Sequence, residues 1–216
     1  MEFKLLKKLS ELRGTELILL LTAAALAAVM ILAIRRYGRS GKPAPKRGTR
    51  SLVYGALCLT LSFVLSYFKL FSISFGGSVT LCSMLPIMLY AYVFGPAYGF
   101  TAAFAYALLQ VVQGAYIVHP VQFVLDYFVA FTCYGIPALF PKKLYAGIAA
   151  GGTARLLAST VSGAVFFASA GLELGYADPW AYSFIYNLLT IGIDTALTLI
   201  AAALLSVERL ETLMKS

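Results

Sequence analysis

The sequence predicts an all-α membrane protein: a bundle of six transmembrane helices, preceded by one additional N-terminal hydrophobic helix. Two observations predict this class. Of the 216 residues, 61% are hydrophobic and 12% are charged, whereas soluble domains are roughly half apolar and one quarter charged. In addition, apolar stretches of about 20 residues, the length of a helix that crosses a bilayer, recur between short turns rich in Gly, Pro or charge.

The pattern of residues 1–37 predicts an N-terminal segment with two parts. Residues 1–15 mix Leu and Phe with basic side chains in a short amphipathic pattern, which suits a membrane surface. Residues 17–34 are continuously apolar or small, and no small-residue cleavage site follows them. We therefore expect a retained helix rather than a cleaved signal peptide. The larger basic group follows this helix, which favours an N-terminus outside the cell.

Residues 38–50 predict a basic cytoplasmic linker, with Pro43 and Pro45 near its middle. Seven Lys or Arg residues and no acidic residue lie between Arg35 and Arg50, beside apolar segments on both sides. The net charge of +8 is thus concentrated in one loop, as the positive-inside rule expects of a cytoplasmic connection. A nucleic-acid-binding arm is the rival interpretation, but the aromatic residues that would stack on bases are not interleaved here.

Residues 51–206 predict the six-helix membrane domain, and residues 207–216 predict a cytoplasmic tail. The expected spans are 51–71, 80–97, 98–115, 120–140, 144–169 and 179–206. If the basic linker lies inside, the connections 72–79, 116–119 and 170–178 lie outside. The charges agree, since Lys142 and Lys143 then fall inside while Glu173 and Asp178 fall outside.

Small residues recur in the fifth span, at Gly147, Gly151, Gly152 and Gly163. Helices in lipid associate through close packing, so these glycines predict that other helices approach this span closely. The three cysteines, Cys58, Cys82 and Cys133, have spacings that match neither a zinc site nor a disulfide framework, and we interpret them as packing residues.

Polar side chains follow helical spacing in four spans, which is informative because lipid excludes them. The four stripes are His119, Gln122 and Asp126; Tyr106, Gln110 and Gln113; Arg155, Ser159 and Ser162; and Asn187, Thr190 and Asp194. Residues three, four or seven apart share one helix face, so we expect the stripes to line one interior cavity.

Each stripe also has a purely structural interpretation. Asp126 and Arg155 could form a mutual ion pair, and for Asp194 we favour a structural hydrogen bond. His119 precedes Pro120 at an expected helix start, where a capping role is as plausible as ligand contact. The aromatic residues near the outer ends of the last spans, Trp180 among them, suit an interfacial belt as well as a binding site.

The sequence predicts no catalytic residues, no metal site and no cofactor. It has no phosphate-binding loop, one histidine, and no serine elbow with a plausible base. A membrane-embedded enzyme that uses Asp126 and His119 as acid and base is a further hypothesis, but it lacks a nucleophile or metal. Energy for uphill transport would therefore have to come from a partner or an ion gradient.

Three stretches carry a resemblance to a known family. They are GGSVTLCSMLPIMLYAYVFG at Gly76–Gly95, QGAYIVHPVQFVLDYFVAF at Gln113–Phe131 and WAYSFIYN at Trp180–Asn187. In these residues, over about positions 50–206, the chain resembles the ThiT family, the thiamine-binding S components of energy-coupling factor (ECF) transporters. The resemblance implies a bundle of the ECF S-component type in a bacterial plasma membrane, which captures thiamine at the outer face. A transmembrane coupling subunit and two ATPase subunits would supply the energy.

The resemblance also implies roles for individual residues. Asp126 takes the place of the ligand-binding carboxylate, followed by Tyr127, while Tyr182 and Asn187 match the site on the last helix. Ser159 stands where some members have His, and Phe167 where some have a stacking Trp. With Gln122 and His119 of the same stripe, these form the predicted substrate-binding set. The two departures leave open a ligand other than thiamine.

In the family that this chain resembles, small residues on the first of the six helices dock the coupling subunit. The resemblance implies that Ala56 and Thr60 hold these positions here. This is a small-xxx-small pair, and ordinary packing within the chain is the alternative interpretation. Three other functions remain beside a thiamine-binding subunit: an S component for another vitamin or a thiamine precursor, a transporter that works alone, and the enzyme considered above.

Overall fold

The computed structural model describes residues 48–73, 77–205 and 207–215, apart from the side chains of Glu208 and Lys215. The predicted amphipathic segment, the additional N-terminal helix and all but the end of the basic linker lie outside the described residues. The division at residues 37 and 50 and the direction of the N-terminal helix therefore stay predictions.

The described chain consists of eight helices and one two-stranded antiparallel sheet. The helices are α1 (Thr49–Tyr67), α2 (Leu85–Phe94), α3 (Pro96–Gly114), α4 (Pro120–Leu139), α5 (Leu144–Phe166), α6 (Ala168–Glu173), α7 (Pro179–Leu204) and α8 (Val207–Lys215). The strands β1 (Lys69–Ser72) and β2 (Ser78–Thr80) form a hairpin between α1 and α2, with Phe71 opposite Val79.

Helices α1 to α5 and α7 coincide with the six predicted spans, with ends that differ by a few residues. Within the described residues, α1, α4 and α7 are long and apolar enough to cross a membrane on their own. The all-α membrane class is therefore confirmed, while the crossing of all six helices stays a prediction.

Proline and glycine set several helix ends. Pro120 and Pro179 occupy the first turns of α4 and α7, where a missing N–H costs no helical hydrogen bond. The preceding side chains complete these starts: His119 Nδ1 accepts from Val121 N at 3.2 Å, and Asp178 Oδ1 accepts from Trp180 N at 3.0 Å. Gly95 separates α2 from α3 with a φ of 87°, which favours glycine.

The core lies around α2, which is buried along almost its whole length. Ile87 and Met88 are fully inaccessible there and pack with Tyr106 of α3 and Tyr134 of α4. Helix α1, in contrast, buries only three serines and presents leucine and valine side chains outward. A bundle whose outermost helix is apolar on its exposed face suits a lipid environment.

The glycines of α5 permit the close helix contacts that the sequence predicts. A Cβ atom on Gly147 would lie 2.7 Å from the Cα atom of Pro137, so α5 packs directly against the backbone of α4. A Cβ atom on Gly163 would collide with the side chain of Ser183 on α7. Both contacts require that these positions have no side chain.

The connection between α1 and α2 differs from the prediction, which placed residues 72–79 outside and began the second span at residue 80. The chain instead turns into the bundle over residues 77–84, here called the inward segment. Val79 is fully buried, and the helix begins only at Leu85. This irregular backbone finds partners within the protein: Gly77 N donates to Tyr186 Oη at 2.7 Å, and Leu81 N donates to Phe68 O at 3.0 Å.

Candidate functional site

A cavity of about 280 Å³ lies between the inward segment and helices α3, α4, α5 and α7. Its wall on α5 runs from Phe167, at the outer end of the helix, to Arg155 near its middle. The two positions are twelve apart in sequence, so at 1.5 Å rise per residue their Cα atoms lie about 18 Å apart along the helix axis. The four polar stripes all contribute to its wall, which confirms that they converge.

The outer part of the cavity is aromatic. Tyr116, from the loop between α3 and α4, stacks on Phe167 with ring centroids 6.0 Å apart and an interplanar angle of 27°. On α7, the rings of Tyr182 and Tyr186 lie 5.8 Å apart. The hydroxyl oxygen of Tyr127 accepts a hydrogen bond from Tyr116 N at 2.8 Å, which fixes the loop against α4.

On the α4 wall, Gln122 holds Asp126 in place. Gln122 Nε2 donates to Asp126 Oδ2 at 2.8 Å and to the carbonyl oxygen of Tyr116 at 3.1 Å, while its Oε1 accepts from Val118 N at 3.1 Å. Asp126 lies in a π-helical turn, Val124–Val129. Such wide turns change the direction of side chains within a helix and are frequent at functional sites.

The α7 wall, like the α4 wall, combines a π-helical turn with a polar side chain that is held by hydrogen bonds. A second π-helical turn, Leu188–Gly192, follows Asn187 directly. Asn187 Nδ2 donates to the carbonyl oxygen of Ser183 at 2.9 Å, and the Ser183 hydroxyl donates to Thr160 O of α5 at 2.8 Å. Asn187 is thereby oriented from the α5 side. Thr190 Oγ1 donates to Tyr186 O at 3.0 Å, the backbone bond expected of a membrane threonine.

Charged and hydroxyl groups line the inner end of the cavity. Both carboxylate oxygens of Asp194 accept from Thr80 Oγ1 at 3.1 Å, so the structural hydrogen bond expected of Asp194 is confirmed. The Ser83 hydroxyl oxygen lies 2.7 Å from Thr80 Oγ1, so Ser83 belongs to the same hydrogen-bonded group. Arg155 donates to the hydroxyl of Tyr134. Within the described residues, Arg155 makes no ion pair with Asp126 inside 4.0 Å, so that structural alternative is not realised.

Seven of the eight predicted substrate-binding residues line this cavity: Gln122, Asp126, Tyr127, Ser159, Phe167, Tyr182 and Asn187. The eighth, His119, is not part of the lining. It caps α4 and stacks on Phe166 with ring centroids 4.9 Å apart, which corresponds to the capping interpretation. The predicted docking residues Ala56 and Thr60 are exposed on α1, also outside the lining.

Several lining residues were not in the predicted site. Arg155, Gln110 and Gln113 belong to polar stripes, so their spacing was a usable signal. Tyr116 and Lys69 carried none, because they lie in a loop and in the hairpin, whose positions depend on tertiary contacts. Within the described residues, no group of three or more His, Cys, Asp or Glu side chains could hold a metal ion.

The arrangement combines aromatic faces, carboxylates and directional amide groups around one cavity. These groups suit a small heteroaromatic molecule, because ring faces attract positive charge and polar groups fix orientation.

Comparison with known proteins agrees with this geometry. A family model described as thiamine transporter protein (Thia_YuaJ) matches residues 52–214. The thiamine transporter ThiT of Bacillus subtilis (strain 168) is 34% identical over 129 residues, a match that spans 52% of this chain and 66% of that relative. The chain is also similar to a solved structure of ThiT from Listeria monocytogenes, with a TM-score of 0.56 and 22% identity over 76% of this chain and 93% of that one.

The structural similarity supports the fold, and the relatives are transporters rather than enzymes. The family model covers α2 to α7 completely and almost all of α1 and α8. This chain therefore belongs to the thiamine transporter protein family.

Proposed function

We propose that this chain is the substrate-binding membrane subunit of an ECF transporter, which captures thiamine at the outer face of a bacterial plasma membrane. The observation that carries the proposal is the cavity, in which an aromatic outer part continues into a wall formed by Asp126 and Asn187. Thiamine joins a cationic thiazolium ring to a neutral aminopyrimidine, and each ring finds suitable groups in this space.

The aromatic residues suit the thiazolium ring. A cation over a tyrosine or phenylalanine face is stabilised by about 0.5–2 kcal/mol, more when water is excluded. Tyr116 and Phe167 offer such faces at the mouth, and Tyr182 and Tyr186 offer them on α7. Asp126 can accept from the exocyclic amino group, and Asn187 can both donate and accept.

The size of the cavity also supports a ligand of this class. Binding sites for drug-sized molecules span roughly 300–1,000 Å³, so a volume of about 280 Å³ suits a molecule of two small rings. Polar groups buried against such a ligand discriminate strongly, because an analogue without the matching group leaves them unpaired.

The proposed partners are a transmembrane coupling subunit and two ATPase subunits, since this sequence has no phosphate-binding loop of its own. Ala56 and Thr60 suit the docking role, because both are exposed on α1 and small enough for a partner helix to approach closely.

Titration calorimetry of the detergent-purified protein tests the proposal. We expect saturable thiamine binding that becomes roughly 10- to 100-fold weaker in Asp126→Asn, because a hydrogen bond to a charged acceptor is lost. The matched control is Glu173→Gln, which neutralises an exposed carboxylate outside the cavity and should leave the Kd unchanged. Wild-type protein that releases no binding heat with thiamine and shows no thermal stabilisation by it would contradict the function.

A second candidate is an S component for another vitamin or a thiamine precursor, favoured by Ser159 and Phe167, which depart from the family pattern. Competition of labelled thiamine with its pyrimidine half and with riboflavin separates these ligands. A transporter that works alone would take up thiamine into liposomes that contain only this chain, whereas the proposed subunit requires its ATPase partners.

A further inference from the structure

Arg155 is held in one orientation at the inner end of the cavity. A terminal nitrogen of its guanidinium donates to the hydroxyl of Tyr134. The guanidinium carbon lies 4.5 Å from the ring centroid of Phe131 and 5.2 Å from that of Tyr134. Aromatic contacts on a planar cation restrict its rotation, so the remaining N–H groups point in fixed directions.

The other donors of this guanidinium have no protein acceptor. Its Nε is buried without a hydrogen-bond partner, and within the described residues Arg155 makes a single hydrogen bond and no ion pair. Asp126 and Asp194 act on its charge from a longer distance. The inaccessible Nε is shielded from the cavity, but Arg155 lines the cavity and its second terminal nitrogen makes no hydrogen bond within the described residues, so a ligand acceptor could pair with it.

We infer that Arg155 is a specificity-determining residue, whose guanidinium donates a hydrogen bond to a ring nitrogen of the ligand's pyrimidine. The inference rests on the proposed function. Like charges repel, so the cationic thiazolium ring avoids Arg155 and occupies the aromatic mouth near Phe167. The uncharged pyrimidine then reaches the inner end, where its ring nitrogens are its acceptors.

Arg155 and Asp126 together match one edge of the pyrimidine. The amino group of that ring donates, and the adjacent ring nitrogen accepts. Asp126 supplies an acceptor from α4 and Arg155 a donor from α5, two helices that lie side by side in the cavity wall. A ring that lacks the nitrogen leaves the guanidinium unpaired, and a site of this kind rejects such an analogue.

Calorimetric titration with three ligands tests the inference: thiamine and the two pyridine analogues in which one ring nitrogen is replaced by C–H. For the wild-type protein, we expect one analogue to bind roughly 10- to 100-fold more weakly than thiamine. Arg155→Met removes the donors and keeps an unbranched side chain. In this variant the affinity for thiamine should fall by a similar factor, and thiamine and that analogue should bind with equal affinity.

Lys143→Met is the matched control, because it removes an exposed basic side chain from the loop between α4 and α5. It should leave all three affinities unchanged. If both analogues bind wild-type protein as tightly as thiamine, or if Arg155→Met keeps the wild-type discrimination, the inference is wrong while thiamine binding stands. If wild-type protein fails to bind thiamine, the proposed function itself is wrong.

A thermal unfolding measurement without ligand accompanies each variant. If Arg155→Met does not fold, Arg155→Lys takes its place, since it keeps the charge but loses the planar donor geometry. Discrimination against the analogue should then fall relative to wild type. Undiminished discrimination in Arg155→Lys would count against a role for the guanidinium.

Discussion

Gln122 connects Asp126 to the loop that forms part of the cavity mouth. One amide side chain holds the carboxylate, a carbonyl oxygen and a backbone N–H of residues 116–118. Gln122 is only 2% exposed, whereas Tyr116 and Val118, whose backbone groups it binds, are each 49% exposed. The orientation of Asp126 and the position of Tyr116 therefore depend on the same residue.

We predict that Gln122→Leu weakens thiamine binding by roughly 10-fold or more, since the Asp126 carboxylate and two partly buried backbone groups lose their partner, and an unsatisfied polar group costs about 1–3 kcal/mol when fully buried. Part of that cost should appear as a lower midpoint of thermal unfolding. Calorimetry and thermal unfolding measure the two effects. Thr101→Val removes an exposed hydroxyl that bonds only within its own helix, and serves as the control. Equal Kd values for Gln122→Leu and wild type would contradict the prediction.

At the residue scale, spacing within helices was the informative signal. Gln122 and Asp126 lie four residues apart and face the same cavity, and Asn187 and Asp194 do so across a π-helical turn. The partner of Arg155 was not predictable, because Tyr134 lies on another helix with no pattern that links the two. Spacing identifies which side chains share a face, whereas contacts between helices depend on how the faces meet.

Helix α5 packs closely against both α4 and α7, which form the neighbouring walls of the site. Its glycines allow α4 and α7 to approach, which brings Ser183 of α7 to the carbonyl oxygen of Thr160. Asn187 in turn donates to Ser183. The orientation of a predicted ligand-binding amide thus depends on the absence of a side chain at Gly163.

We predict that Gly163→Ala lowers the stability of the protein by about 1–3 kcal/mol, because the added methyl group forces α5 and α7 apart. Thiamine affinity should fall with it. Gly192→Ala is the matched control: the nearest atom to its methyl group would be the flexible end of Leu188, 3.0 Å away, with Leu156 in ordinary contact at 3.8 Å. There, the better helix propensity of alanine should leave stability equal or higher. Thermal unfolding in detergent compares the two, and a stabilised Gly163→Ala would refute this account.

Hydropathy located the helices, but not the irregular elements between and within them. A long apolar run predicts a span whether or not it contains a π-helical turn, because such a turn adds a residue without changing composition. The hairpin was missed for a related reason. Thr80 and Ser83 look like the polar start of a span, but both are buried in one hydrogen-bonded group with Asp194, which lies more than 100 residues further along the chain.

The orientation of the whole molecule follows from its charges. Lys142 and Lys143 lie in the loop between α4 and α5, and both are exposed. Glu173 is exposed at the other end of α5, on α6. Phe167, which lines the cavity, lies at the same end of α5 as Glu173, so the positive-inside rule predicts that this end of the cavity faces outside the cell.

We predict that single cysteines at these positions label from opposite sides of the membrane. In a variant without the three native cysteines, Glu173→Cys should react with a membrane-impermeant thiol reagent in intact cells. Lys143→Cys should react only after the cells are permeabilised. The cysteine-free variant gives the background. Labelling of Lys143→Cys in intact cells would reverse the topology and place the cavity mouth in the cytoplasm.

The inward segment imposes an order on biogenesis. Most of its backbone pairs with β1 and Phe68, which precede it in the chain, whereas the N–H of Gly77 has no partner until Tyr186 of α7 has been synthesised. The hairpin can therefore form early, and the contact that holds it against α7 forms only afterwards. A chain cut short before residue 179 would contain six of the eight described helices and still lack the α7 wall of the cavity.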